Sequence, residues 1–367
     1  MANFLEVFED VTKEGHKIPK ESYLSEGLYP IIDQGQEYIA GYTNDASGLY
    51  CNVPAIIFGD HTRIIKYVDM PCFLGADGVK LLRAKFLDVN YKYLYYALCK
   101  VRIPDTGYNR HFKWLKEVDI PLPGASKQEH IVSVLDKISD IVTLRKQQLD
   151  KLNELVKARC VELFGDMVFN PLNWPELPLE TMSDIVSGIT KGRKTRESTL
   201  TEVPYMAVSN VKDGYIDWTT VKTIQATDSE IKQYRLQSND ILMTEGGDPD
   251  KLGRGAIIKE PPNNCIHQNH VFRVRLNQEI IIPEFFSEYL QQQKSKQYFL
   301  QCAKQTTGIA SINMKQLRSL PVLLPPVEKQ YLFVTFVEAL QKCKLTIQQG
   351  LDKLEMMKKA LMQQYFG

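Results

Sequence analysis

At 367 residues, with 44% hydrophobic and 24% charged side chains, the chain is long enough for two cored domains and too ordinary in composition for wholesale disorder. A net charge of +1 excludes a global pull toward nucleic acid, so any such binding has to come from local patches or be shared with a partner. Seven cysteines without a C-x-x-C pair, no basic and apolar leader after Met1, and no long apolar run point to a reduced, cytoplasmic protein that does not span a membrane.

Residues 1–122 read as a mixed globular segment. A strand-like apolar run at 55–58 ends in Gly59-Asp60, and His61-Thr62-Arg63 leads on to Ile64-Ile65-Lys66. Further along, Thr106-Gly107 precedes Asn109-Arg110-His111-Phe112-Lys113-Trp114, a mixture of amide, guanidinium, ammonium and aromatic groups. Arg and Asn are the side chains that read guanine and adenine edges bidentately. For any single residue of the string, a polar capping role on a packed segment is the slightly simpler account.

Residues 123–167 read as a long helix. Positions alternately four and three apart are Ile131, Leu135, Ile138, Val142, Arg145, Leu149, Leu152, Val156, Arg159 and Leu163. Their 3.5-residue period is that of a coiled-coil seam. Pro123 sets the start, no proline interrupts the run, and Gly165 follows it.

Residues 168–324 form the second globular segment. Gly188 to Thr195 superficially resembles a phosphate loop but lacks its spacing, which leaves a basic turn of Lys191, Arg193, Lys194 and Arg196 suited to phosphate contact. A second strand-like run, 240–243, precedes Gly247-Asp248 and a longer loop carrying Lys251 and Arg254. Cys265, His267 and His270 lack the spacing and fourth ligand of a metal site, so a structural role is expected for them. Asn313 and Lys315 follow Thr307-Gly308. Neither Gly-x-Ser-x-Gly nor His-Glu-x-x-His occurs, and Asn170-Pro171-Leu172-Asn173 falls short of an amino-methyltransferase motif. No catalytic residue and no metal is expected.

Residues 325–367 repeat the middle of the chain. Shifted by 202 positions, residues 122–165 fall without a gap onto 324–367, bringing Lys127, Gln128, Phe164 and Gly165 onto Lys329, Gln330, Phe366 and Gly367. The second seam is Phe333, Val337, Leu340, Lys344, Ile347, Leu351, Leu354, Lys358, Leu361 and Tyr365. Alone, either helix would expose its seam, so the two are expected to pair. The globular segments correspond as well: Pro30 answers Pro204, Gly41-Tyr42 answers Gly214-Tyr215, and Gly59-Asp60 answers Gly247-Asp248. Ile64-Ile65-Lys66 answers Ile257-Ile258-Lys259, Cys72 answers Cys265, and Thr106-Gly107 answers Thr307-Gly308. One unit used twice gives a pseudo-twofold architecture.

A globular segment ending in Val118-Asp119-Ile120-Pro121-Leu122-Pro123, then Lys127-Gln128 and a long helix closing on Leu163-Phe164-Gly165, resembles the specificity subunit of type I restriction–modification enzymes. The second copy is Leu320 to Pro326, then Glu328, Lys329 and Gln330. The resemblance implies an α+β fold of two mixed α/β target-recognition domains, separated by two long antiparallel coiled-coil helices acting as a ruler. It implies double-stranded DNA as ligand, each domain reading half of a bipartite sequence. Two methylation subunits, which carry S-adenosylmethionine and the adenine methylation chemistry, would dock on the helices, with a translocating restriction subunit as a further partner. No cofactor is expected in this chain. The residues expected to meet DNA are Asp60, His61, Arg63, Asn109, Arg110 and Lys113 in the first half. In the second they are Lys191, Arg193, Lys194, Arg196, Asp248, Lys251, Arg254, Asn313 and Lys315. The competing expectation is a coiled-coil scaffold or adaptor that never touches DNA.

Overall fold

The strand Ala55–Gly59 is buried at every position, as a strand covered on both faces must be. It belongs to an antiparallel sheet ordered Phe8–Asp10, Val79–Ala84, Ala55–Gly59, Ile65–Val68. Successive side chains leave on opposite sides. Ile56 and Phe58 join Phe8, Leu82, Tyr93 and Leu94 in one cluster, while Ala55 and Ile57 join Val68, Leu74, Val79 and Leu81 in another. A three-stranded sheet sets Tyr29–Ile32 between antiparallel Gly41–Thr43 and parallel Phe73–Leu74. Ala2–Asn3 pairs with Asp119–Ile120. These coordinates are a computed structural model that describes residues 1–75, 77–86, 89–107, 109–193, 199–247, 252–306 and 309–367.

The second half repeats these sheets and adds a three-stranded one of Gly246–Gly247, Ile309–Ser311 and Lys304–Thr306. Its four-stranded sheet is ordered Ser183–Ser187, Val271–Leu276, Ile241–Thr244, Gly255–Ile257. Thr201–Met206 lies between antiparallel Lys222–Ala226 and parallel Ile266–His267, and Glu176–Pro178 pairs with Pro321–Leu323. Three sequence correspondences fail. Register aligns Gly59 with Thr244 rather than Gly247, and Ile65 with Gly255 rather than Ile258. The counterpart of Gly41–Thr43 is Lys222–Ala226, so Gly214-Tyr215 does not match Gly41-Tyr42. Gly214 instead sits in a turn at φ 80, its N–H donating to the Gly255 carbonyl at 3.0 Å.

Two helices of 40 residues, Ala125–Phe164 and Val327–Phe366, follow the two halves. The repeated glutamine locks each start. Gln330 is fully buried: its Oε1 accepts the Ile282 N–H at 2.9 Å and its Nε2 donates to the Pro325 carbonyl at 2.9 Å. Gln128 does the same toward Asn90 at 3.4 Å and Pro123 at 2.8 Å. A buried carboxamide has to be satisfied at both ends, and here the helix entry supplies one partner and the domain the other.

The chain forms two compact units, residues 1–148 with 347–367, and residues 149–346. Each unit thus holds one globular half, the start of its own helix and the end of the other copy's. In the first, Ile131, Val132 and Leu135 share a cluster with Leu361, Met362, Tyr365 and Phe366. Lys146 pairs with Glu355 at 3.0 Å, so the partner numbers fall as the first helix advances and the segments run antiparallel. In the second, Leu163 and Phe164 share a cluster with Phe333, Val334 and Val337, and Lys329 donates to the Leu163 carbonyl at 3.2 Å. Along both seams every position except Arg145 is buried or half-buried.

Candidate nucleic-acid interface

In the first unit, two of the sequence-predicted loops meet at the end of Ala55–Gly59. Asp60 is buried; its carbonyl accepts the His111 N–H at 2.8 Å and its carboxylate accepts the Phe112 N–H at 2.7 Å. It therefore offers no side-chain surface to DNA, and its position is that of a clamp between the loops. Arg63, at φ 63, extends its guanidinium to Asp105 at 2.9 Å. The Gly107 N–H and then Arg63 hold the Asp105 carboxyl below the usual carboxylate range. His61 is half-buried, its N–H donating to Gln34 Oε1 at 3.2 Å. Asn109, Arg110 and Lys113 remain exposed on the joined surface, Asn109 turning its amide to the Thr106 carbonyl and Lys113 lying 4.9 Å over the Trp114 ring.

In the second unit, strand register fixes what corresponds to what. Gly59 is paired with Val79, and Thr244 with Val271. Asp60 donates its N–H to Gly78 O at 2.7 Å; Glu245 donates its own to His270 O at 3.0 Å. His111 N–H reaches Asp60 O, and Ile312 N–H reaches Glu245 O, both at 2.8 Å. The counterpart of Asp60 is therefore Glu245, not Asp248. The carboxylate of Glu245 points outward, where His270 Nδ1 lies 2.5 Å from its Oε2. Asn269 Nδ2 is 3.4 Å from His270 Nε2.

The other candidates of this half separate. Arg193 is drawn away to Glu230 (Nε to Oε1, 2.5 Å) and to the Gln225 carbonyl at 3.1 Å, and the pairing holds the Glu230 carboxyl below its ordinary range. An arginine with those bonds filled serves as a strut within the domain. Asn313 caps the helix Met314–Arg318, its Oδ1 accepting the Gln316 N–H at 2.9 Å, so its side chain is likewise engaged. Lys191 and Lys315 are exposed. Arg254 is half-buried, its carbonyl accepting the Thr244 N–H at 3.2 Å. Lys194, Arg196, Asp248 and Lys251 lie outside the described residues. His267 is fully buried with Nδ1 2.7 Å from the Val271 carbonyl, and burial pushes its pKa down to about 4.

A family model described as the type I restriction modification DNA specificity domain matches residues 4–154 and 171–356. The chain belongs to that family. The EcoKI specificity subunit of Escherichia coli K12 is 25% identical over 238 residues, 61% of this chain and 50% of that protein. The chain thus spans about half the length of that relative. Another Escherichia coli type I specificity subunit is 22% identical over 94% of this chain and 87% of its own length. Among solved structures, the S subunit of a type I restriction–modification system from M. genitalium has a TM-score of 0.60 at 17% identity, with 98% of this chain and 94% of that one covered. At that identity the likeness is one of fold.

Sequence reading passed over Glu245 and Asn269 and gave His270 only a structural role. The misleading signal was the repeated Gly-Asp pair, which matches by letter but not by strand register. The signal that finds them is counting from the strand: each is the first or second residue beyond a paired position.

Proposed function

We propose that this chain is the sequence-reading subunit of a type I restriction–modification complex. In this reading residues 1–122 and 168–324 are target-recognition domains, and 123–167 and 325–367 are the helices that set their spacing. The observation that carries it is that the three sheets of the first half recur in the second with unequal loops at equivalent strand ends. A rigid scaffold with variable loops is what two different half-sites require. DNA contact falls to the exposed Arg110, Lys113, Lys191 and Lys315, with Arg63, His61, Asn109 and Arg254 beside them; phosphate contacts position, and a few side chains discriminate bases. Two methylation subunits, holding S-adenosylmethionine, supply the chemistry and dock on the helices, and the complex works on double-stranded DNA in the cytoplasm. A restriction subunit joins where cleavage accompanies methylation. Each helix of 40 residues is about 60 Å long when straight.

An electrophoretic shift of duplex DNA by the chain, with and without a co-expressed methylation subunit, tests this reading. Binding with a bipartite methylation pattern is expected. Stable helix-dependent association with other proteins and no DNA shift in either state would favour the scaffold instead. Inserting two helical turns into each long helix is expected to lengthen the spacer and leave both half-sites unchanged; altered half-sites at constant spacer would sink the ruler.

A further inference from the structure

We infer that Asn269, oriented by His270 and Glu245, is the adenine-reading residue of the second half-site. The inference rests on the DNA-reading function proposed above and names a residue for it. Its basis is a chain of polar groups on a fixed backbone. Asn269 is anchored through both of its backbone groups: its N–H donates to the Ile189 carbonyl at 3.0 Å, and its carbonyl accepts Ser187 Oγ–H at 2.6 Å. The crossing strand approaches closely enough that a Cβ on Gly188 would lie 1.9 Å from the His267 carbonyl oxygen. Only glycine allows that approach, and the approach fixes where residue 269 stands.

From this anchor the side chains form a relay. His270 Nδ1 lies 2.5 Å from Glu245 Oε2; with Nδ1–H donating to that carboxylate, Nε2 is the ring nitrogen that faces the Asn269 amide as an acceptor. The Asn269 amide nitrogen, at 3.4 Å, donates one hydrogen to it. That contact fixes the amide orientation and leaves Asn269 Oδ1 and a second N–H free to act together. An acceptor and a donor side by side are the complement of adenine N6–H and N7 in the major groove. Glu245 is held in turn by its own backbone bonds to His270 and Ile312. The relay stands at the end of the central strand, where three loops converge, the position at which the first half carries its clustered candidate residues.

Among the described residues the first half shows no such relay. By register, Asp77 and Gly78 stand where Asn269 and His270 do, and Asp60 turns inward at the place of Glu245. Asp77 is almost fully exposed and 3.4 Å from Lys17. The same scaffold position therefore presents an amide in one half and a carboxylate in the other, and the two half-sites are read differently there.

The test is selection from a random duplex DNA library by the full-length chain co-expressed with its methylation subunits, followed by sequencing of the bound fraction. Asn269→Ala is expected to lose roughly ten- to a hundredfold of the preference for adenine at one position of one half-site. The other half-site and the spacer stay as they were. Glu245→Gln and His270→Ala, which act through Asn269, are expected to weaken preference at that same position by a smaller factor. Asn269→Asp is expected to move the preference from adenine toward cytosine, whose N4 amino group a carboxylate accepts. Unchanged preference in an Asn269→Ala complex of unchanged melting temperature would overturn the assignment. So would a uniform loss at all positions, the mark of a phosphate contact. If the wild-type complex selects no sequence at all, the DNA-reading function itself fails, and this inference with it.

Discussion

The two halves differ in chemistry at a point where their backbones make the same hydrogen bonds. At the end of the central strand the same backbone hydrogen bonds recur, from Asp60 to Gly78 and His111, and from Glu245 to His270 and Ile312. One extra methylene in the side chain and a histidine for a glycine change the outcome. Asp60 is short enough to fold back onto the Phe112 N–H and is buried, whereas Glu245 reaches outward to an exposed imidazole. The first half puts its carboxylate into stability. The second leaves its carboxylate at the surface.

The largest expected difference between the halves concerns the helix ends. Phe164 is fully buried between Phe285, at 5.2 Å between ring centres, and Phe333, at 5.4 Å. Phe366 is half-buried against Tyr93 at 5.3 Å. Phe164→Ala is expected to destabilise the second unit by about 3–5 kcal/mol in denaturant unfolding, and Phe366→Ala the first unit by roughly half as much. Equal losses would break the comparison.

Next comes a histidine's contribution to acid sensitivity, expected in the second half. His267 pairs in register where the first half has Leu74. Its folded pKa is about 4 against 6.5 for the free side chain, so the unfolded state takes up the proton first as pH falls. The stability of that unit should therefore drop by about 1.4 kcal/mol per pH unit below 6.5 and stop dropping from this cause near 4. His267→Leu should abolish that component in melts between pH 7 and 4; an undiminished slope would show that the histidine is not its source. The smallest effect sharpens the opening contrast. Asp60→Ala leaves the buried Phe112 N–H without its acceptor and should cost about 1–3 kcal/mol, whereas Glu245→Ala should stay within about 0.5 kcal/mol. Matched costs in thermal unfolding would place both carboxylates in the same role.

The long helices were legible because a 3.5-residue period and flanking prolines are local signals. The repeated Gln128 and Gln330 stood out as letters, although only the structure shows that they are buried locks. The loops resisted because their chemistry depends on partners far along the chain. Nothing near Arg193 announces that Glu230 will capture it, and nothing near Gly59-Asp60 announces that its counterpart is set by strand register. The match to Gly247-Asp248 is displaced by three residues, and in a loop three residues replace every side chain.

The exchange of helix ends between the units has a consequence for assembly. Phe164 leaves the first half to fill an aromatic socket in the second, and Phe366 returns to fill the matching socket in the first. One half of the chain therefore carries both a plug and a socket of the same kind. Two copies of a single half, cut free of one another, would each offer a plug to the other's socket.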